Sequence, residues 1–197
     1  MLHTLPALRS LAAAAACAFA LGLAGATTAS AAASSDLDVK VQIVDEEIRT
    51  NVSFFVRAPQ QRVWDVITDY ERTPEYMRDV QVSKVISRSG DTLRLMQKDQ
   101  VRVGPFSVGI DTVRDVKHVA PVMTEAHLVS GSFKKYDSKM QLVPEPGGTR
   151  VIYRSETIAG SALAGFATES MIRRATEERF RQLLAEIQRR EVVASQQ

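Results

Sequence analysis

The residues with chemical capacity in this chain sit inside alternating strands rather than in a nucleophile or metal motif. Asp99, Asp111, Glu125 and His127 are the titratable groups there that could pass protons to a bound substrate, since general acid–base work needs such groups within hydrogen-bond reach. Gln97, Tyr136 and Tyr153 offer hydrogen bonds instead. The tyrosines are aromatic walls with hydroxyl tips, which suits a ring bearing carbonyl or hydroxyl groups and equally suits core packing. Leu93, Leu95, Gln97 and Asp99 share one strand face by the period of two. That strand turns polar halfway, either to meet a ligand head group or to emerge into water. Arg94, Arg114, Arg150 and Arg154 alternate with apolar neighbours and are expected to point to solvent.

Other chemistries lack their residues. His118 and His127 stand nine residues apart on separate expected strands without an HExxH pattern, and the chain has a single cysteine, Cys17, so no metal site is expected. There is no glycine-rich phosphate loop, and no cofactor is called for. Gly160-Ser161-Ala162-Leu163-Ala164 lacks the G-x-S-x-G spacing of a nucleophile elbow, so Ser161 reads as a helix cap.

The elements that must position these residues are legible from periodicity. Period two runs through Val39–Ile43, Ile48–Val56, Val80–Arg88, Thr92–Val103, Phe106–Val116, Val122–Ser130, Phe133–Val143 and Thr149–Ile158. Asp45-Glu46, Gly104-Pro105, Ala120-Pro121, Gly131 and Pro144 to Gly148 punctuate these runs, and such short connections favour antiparallel neighbours. Pro59 is expected at the first position of a short amphipathic helix carrying Val63, Trp64, Val66 and Ile67, and Glu71 to Met77 reads as a second small helix. From about Ala162 to Val193 the period becomes helical, with Phe180, Leu183, Leu184 and Ile187 on one face and a charged face opposite. Glu177 with Arg181 and Glu186 with Arg190 are i,i+4 pairs in the favourable order.

The segment Ala58 to Val80, APQQRVWDVITDYERTPEYMRDV, resembles the START-like/polyketide cyclase superfamily. Gly131-Ser132-Phe133-Lys134-Lys135-Tyr136 and Gly147-Gly148-Thr149-Arg150-Val151-Ile152-Tyr153 are similar to strands of its cyclase/dehydrase and lipid-transport branch, which lies near the coenzyme-Q-binding proteins. The resemblance spans about residues 48 to 190. Arg78 stands where many relatives carry proline, and Met140 where tryptophan is expected. The resemblance implies an α+β helix-grip fold: a curved antiparallel sheet wrapped around a long C-terminal helix, with two short helices after the first core strand. A gap between sheet and helix would then hold an apolar ligand. Its candidate contacts are Leu95, Gln97, Ile110, Tyr136, Met140 and Tyr153 from the strands. The helix adds Phe166, Met171 and Ala175. Alanines and glycines near the helix start either leave room for that ligand or let helix and sheet approach closely.

Residues 1–31 have the form of a signal peptide, with Arg9, an apolar run from Leu11 to Leu23 and a cleavage site at Ala29-Ser30-Ala31. Cys17 raises a competing lipid-attachment reading, against the flanking alanines. Residues 32–37 read as a disordered leader, 38–193 as one ligand-binding domain and 194–197 as a tail. About 166 residues would remain after cleavage, which suits one domain. Removing Arg9 leaves 24 Lys+Arg against 23 Asp+Glu, with no basic block of the kind nucleic-acid binders use. The expected function is a periplasmic or secreted carrier for a lipid, isoprenoid or quinone, with transient membrane contact. An enzyme of the cyclase or dehydratase kind and a surface-acting interaction module are the alternatives.

Overall fold

Alternating strands become β1 (Asp38–Val44), β2 (Glu47–Val56), β3 (Val80–Ser89), β4 (Thr92–Val103), β5 (Phe106–Val119), β6 (Met123–Gly131), β7 (Phe133–Glu145) and β8 (Gly148–Ala159). The computed structural model describes residues 36–103, 106–161 and 168–196. The expected signal peptide, most of the leader, the Gly104-Pro105 turn and residues 162–167, with Phe166 among them, lie outside the described residues. The strands form one antiparallel sheet in the order β1-β2-β8-β7-β6-β5-β4-β3. From β3 to β8 each strand pairs with its sequence neighbour, as short turns dictate, and β8 then closes on β2 along Glu47↔Ile158 to Val56↔Thr149.

Turn residues account for the corners. Asp45 and Glu46 both take positive φ, 50° and 69°, which matches the right-handed strand twist of the two-residue β1–β2 hairpin. Gly131, φ 142°, crosses from β6 to β7 where an added Cβ would overlap the Asp111 carbonyl oxygen, so only glycine fits. The register shift between Val113 and Arg114 lies in the same β5–β6 pairing.

Between β2 and β3 the chain makes α1 (Gln60–Ile67), a 3₁₀ turn (Tyr70–Arg72) and α2 (Thr73–Tyr76). Pro59 precedes α1 as its N-cap, ψ 146°, one position earlier than expected. The second expected helix divides because Pro74 restarts it within the first turn of α2. Gln60 Nε2 donates to the Leu142 carbonyl at 2.9 Å and Thr149 Oγ1 to the Ala58 carbonyl at 2.8 Å, binding this segment to the sheet.

The C-terminal helix α3 (Glu169–Ala194) begins at Thr168, whose hydroxyl accepts from the Met171 N–H. Its stripe Phe180, Leu183, Leu184 and Ile187 joins Val52, Phe54, Val56, Val63, Val66, Leu142 and Val151 in the main core. Full burial of each such side chain contributes roughly 1.5–3 kcal/mol. A smaller cluster, Leu93, Leu95, Val116 and Ala126, lies across the sheet under β4–β6.

Glu186 departs from the charged outer face expected for it. Its side chain is only 6% exposed, between Arg189 and Arg190, and Arg190 also reaches Asp69 at 2.8 Å. Hydrogen bonds from Arg189 and Arg190 outweigh burial and hold its carboxyl down at about 2, against an ordinary 4.5. A lowered folded-state pKa adds stability above the unfolded value that disappears as pH falls through the folded one.

Ile187→Ala, at a fully buried site, is expected to cost about 2–5 kcal/mol in urea denaturation. Between pH 4.5 and about 2 the native protein loses up to about 3 kcal/mol through Glu186, and Glu186→Gln flattens that part of the stability–pH curve.

Candidate functional site

The two apolar clusters do not meet, because α3 plugs only one end of the concave face. Between them lies a cavity of about 240 Å³, lined by Leu95, Gln97, Asp99, Ile110 and Thr112 of the sheet, by Tyr70 and Met77 near the short helices, and by Phe180 and Leu183 of α3. A second space of about 260 Å³ lies under the N-terminal half of α3 against Ile48, Val101, Ile110, Phe133, Met171 and Ile172. Val101, Ile110, Phe133 and Arg179 line both. The helix face explains the division: bulky Phe180 and Leu183 close one half, whereas the preceding turns carry Met171, Ala175 and Thr176.

The sheet positions six predicted residues together. Leu95, Gln97, Ile110, Tyr136, Met140 and Tyr153 all line the first space. Cross-strand pairs fix this, since Met140 lies opposite Tyr153, Leu95 opposite Arg114 and Gln97 opposite Thr112. Asp99 continues the Leu95–Gln97 face, so β4 turns polar inside the cavity, and Gln97 is buried. Met171 and Ala175 line the second space, where Ala175 is itself exposed and stands at the rim rather than inside.

The acid–base set does not assemble. Glu125 and His127 face the opposite side of the sheet, where Glu125 pairs with Lys139 at 2.9 Å and His127 with Asp137 at 2.7 Å. Asp111 is exposed near Lys98. Only Asp99 enters the cavity, and it is held by Arg179 at 2.7 Å, which also approaches Asp79 at 3.4 Å. His118 lies on the cavity side of β5, its ring 5.3 Å from that of Trp64 and its Nε2 2.8 Å from the Tyr70 hydroxyl. Burial and the nearby Arg88 lower its pKa, so it stays neutral to lower pH than a free imidazole.

Arg114 overturns the expectation that the strand arginines all face water. Arg94 and Arg154 do face outward, but Arg114 lines the cavity, bonding Gln97 Oε1 and the Tyr136 hydroxyl, with its guanidinium 5.3 Å from the Tyr136 ring centre. The parity was readable, since Arg114 lies between Thr112 and Val116 on the inward face; its charge pointed the other way. Arg179 was not singled out either, although it continues the Ala175 side of the helix by one turn.

Tyr136 and Tyr153 join hydroxyl to hydroxyl at 3.1 Å. Burial raises the Tyr153 pKa. Burial acts the same way on Tyr136, but Arg114, hydrogen bonds with Ser138 and Tyr153, and Arg179 together outweigh it, making Tyr136 the more acidic of the pair. The resulting row, Tyr153–Tyr136–Arg114–Gln97, can hold a polar head while the rest of the space receives apolar atoms. Among the described residues no three His, Cys, Asp or Glu side chains come together to hold a metal ion.

A curved antiparallel sheet gripping one helix over a cavity defines a helix-grip α+β protein. The chain belongs to the polyketide cyclase/dehydrase and lipid transport family, whose model matches residues 56–183. Against curated proteins the sequence has no match. Among solved structures it is similar to a protein of Thermus thermophilus, 20% identical with TM-score 0.62 over 75% of this chain and 99% of that one. The Zhui aromatase/cyclase of Streptomyces sp. R1128 is 14% identical, TM-score 0.58, over 73% and 95%. The STAR-related lipid transfer protein of Xanthomonas axonopodis is 15% identical, TM-score 0.61, over 78% and 98%. At these identities the likeness is one of fold.

Because Ile110 touches both spaces, Ile110→Trp should fill their junction. The native chain is expected to take up the neutral fluorescent probe N-phenylnaphthylamine, and the variant to lose that uptake while keeping its far-ultraviolet circular dichroism. Equal uptake by both would place the binding space elsewhere.

Proposed function

We propose that this chain is an exported carrier for an apolar small molecule, of lipid, isoprenoid or quinone class, held between the sheet and α3. The observation that carries the reading is the unfilled space between the two apolar clusters, with hydrogen-bonding tips gathered on one wall. Transfer of apolar surface from water into that space supplies the driving force, at about 25 cal/mol per Å². Arg114, Gln97, Tyr136 and Tyr153 then choose among ligands by their polar end. The family's lipid-transport members and the Xanthomonas neighbour, a STAR-related lipid transfer protein, support a carrier. The signal-like residues 1–31 support export, with cleavage near Ala31 into the periplasm or medium and transient contact with a membrane that gives up or receives the ligand.

A cyclase-like enzyme is the second reading, favoured by one observation: Arg114 beside an acidified Tyr136 could polarise a carbonyl and move a proton. The dispersal of Asp111, Glu125 and His127 weighs against it. An interaction module without a cavity has less support, since its interior would be filled.

Native mass spectrometry, with organic extraction, on protein purified from its own source without detergent tests the carrier reading. A co-purifying lipid, isoprenoid or quinone is the expected result. Protein that stays empty after exposure to extracted envelope lipids would overturn it.

A further inference from the structure

Arg114 carries a charge that its surroundings leave unanswered. A guanidinium has five N–H donors, and among the described residues only Gln97 Oε1 and the Tyr136 hydroxyl receive hydrogen bonds from this one. Its Nε is buried without a partner, and among the described residues Arg114 enters no ion pair. The other cavity cation differs, because Arg179 is neutralised by Asp99 and Asp79. A half-buried guanidinium whose Nε is shut off from water is costly to leave without a counter-ion, and neither a glutamine amide nor a phenol supplies the opposite charge. The missing partner is therefore an anion that enters with the ligand.

From this geometry we infer that the ligand is an acidic amphiphile whose carboxylate pairs with Arg114 while its chain occupies the apolar space toward Ile110 and α3. This rests on the carrier reading and narrows it from neutral lipids to carboxylic acids. One guanidinium with no lysine beside it matches a single negative charge. A planar carboxylate also accepts two parallel N–H bonds from a guanidinium, and charge-assisted pairs of this kind exceed neutral ones. The Tyr136 and Tyr153 hydroxyls share one hydrogen bond between them, leaving a phenolic proton that can be given to a carboxylate oxygen.

The test compares cis-parinaric acid, its methyl ester and decylubiquinone on the full chain near neutral pH, by parinaroyl fluorescence and displacement. The acid should bind about 10- to 100-fold tighter than the ester, the size of one hydrogen bond to a charged group. Arg114→Met, close in length and uncharged, should erase that preference, bringing the acid's affinity down to the ester's. If that variant does not fold, the acid-to-ester ratio of the native chain decides alone. Equal binding of acid and ester, or binding of ester or quinone without the acid, overturns the acidic ligand and leaves the carrier. Binding of none of the three overturns both.

Discussion

The packing of one half of α3 against one half of the sheet is the constraint on which the rest of this structure depends. Phe180, Leu183, Leu184 and Ile187 lock into β2, β8 and α1, with Phe54 and Phe180 meeting edge to face at 6.0 Å. The N-terminal turns are tied separately to β1, where the Ile43 N–H donates to Glu169 Oε1 at 3.0 Å. Those turns carry Met171, Ala175 and Thr176, which among the described residues leave a space against the facing sheet. An interior void normally forfeits dispersion contacts and weakens a fold. Here the void is bounded by a complete core on one side and by the Leu93–Val116 cluster on the other, so its cost is confined to the region between them.

The polar row depends on the same arrangement. Strand register places Arg114 opposite Leu95 and Met140 opposite Tyr153, and these pairings put aromatic, charged and amide groups on one wall of an otherwise apolar space. Arg179 performs a different task from Arg114 although both are inward arginines. It ties α3 to β4 through Asp99 and approaches Asp79, next to β3, so its charge is consumed in holding the helix over the sheet. At the far end of the helix, Glu186 and Arg190 make a comparable tie to Asp69 beside the short helices. Two ion-pair anchors thus fix the ends of the apolar stripe, and breaking either would expose buried charge rather than merely remove a surface contact.

Most of this architecture was legible in the sequence because its signals are local. Alternation located every strand, and turn-forming residues placed the corners at Asp45-Glu46, Gly131 and Gly147-Gly148. The period-two rule also gave the inward face of β4 and the matching tyrosines on β7 and β8. What local reasoning missed was the fate of charge. Arg114 has inward parity, but a strand arginine next to Asp115 is ordinarily an outward residue, and only the tertiary enclosure by α3 makes its position costly and informative. Glu186 was misplaced for the same reason: an i,i+4 pair looks alike on an exposed and on a buried helix face. Glu125 and His127 failed as a catalytic pair because a spacing of two along a strand puts them on the same side, and that side is the outer one.

The balance of charge inside the cavity bears on which of the family's activities this chain retains. A proton-transfer enzyme needs a base and an acid that both reach the substrate, with their pKa values pushed apart. Within this cavity the carboxylate is already engaged by Arg179, and the imidazole of His118 is turned toward Tyr70 and Trp64. Among the described residues the polar wall offers a ligand a guanidinium, a glutamine and two phenols, of which Tyr136 is the acidified one. Such a set holds and orients a polar end more readily than it exchanges protons with it. That balance of groups is what favours the proposed binding role over proton transfer.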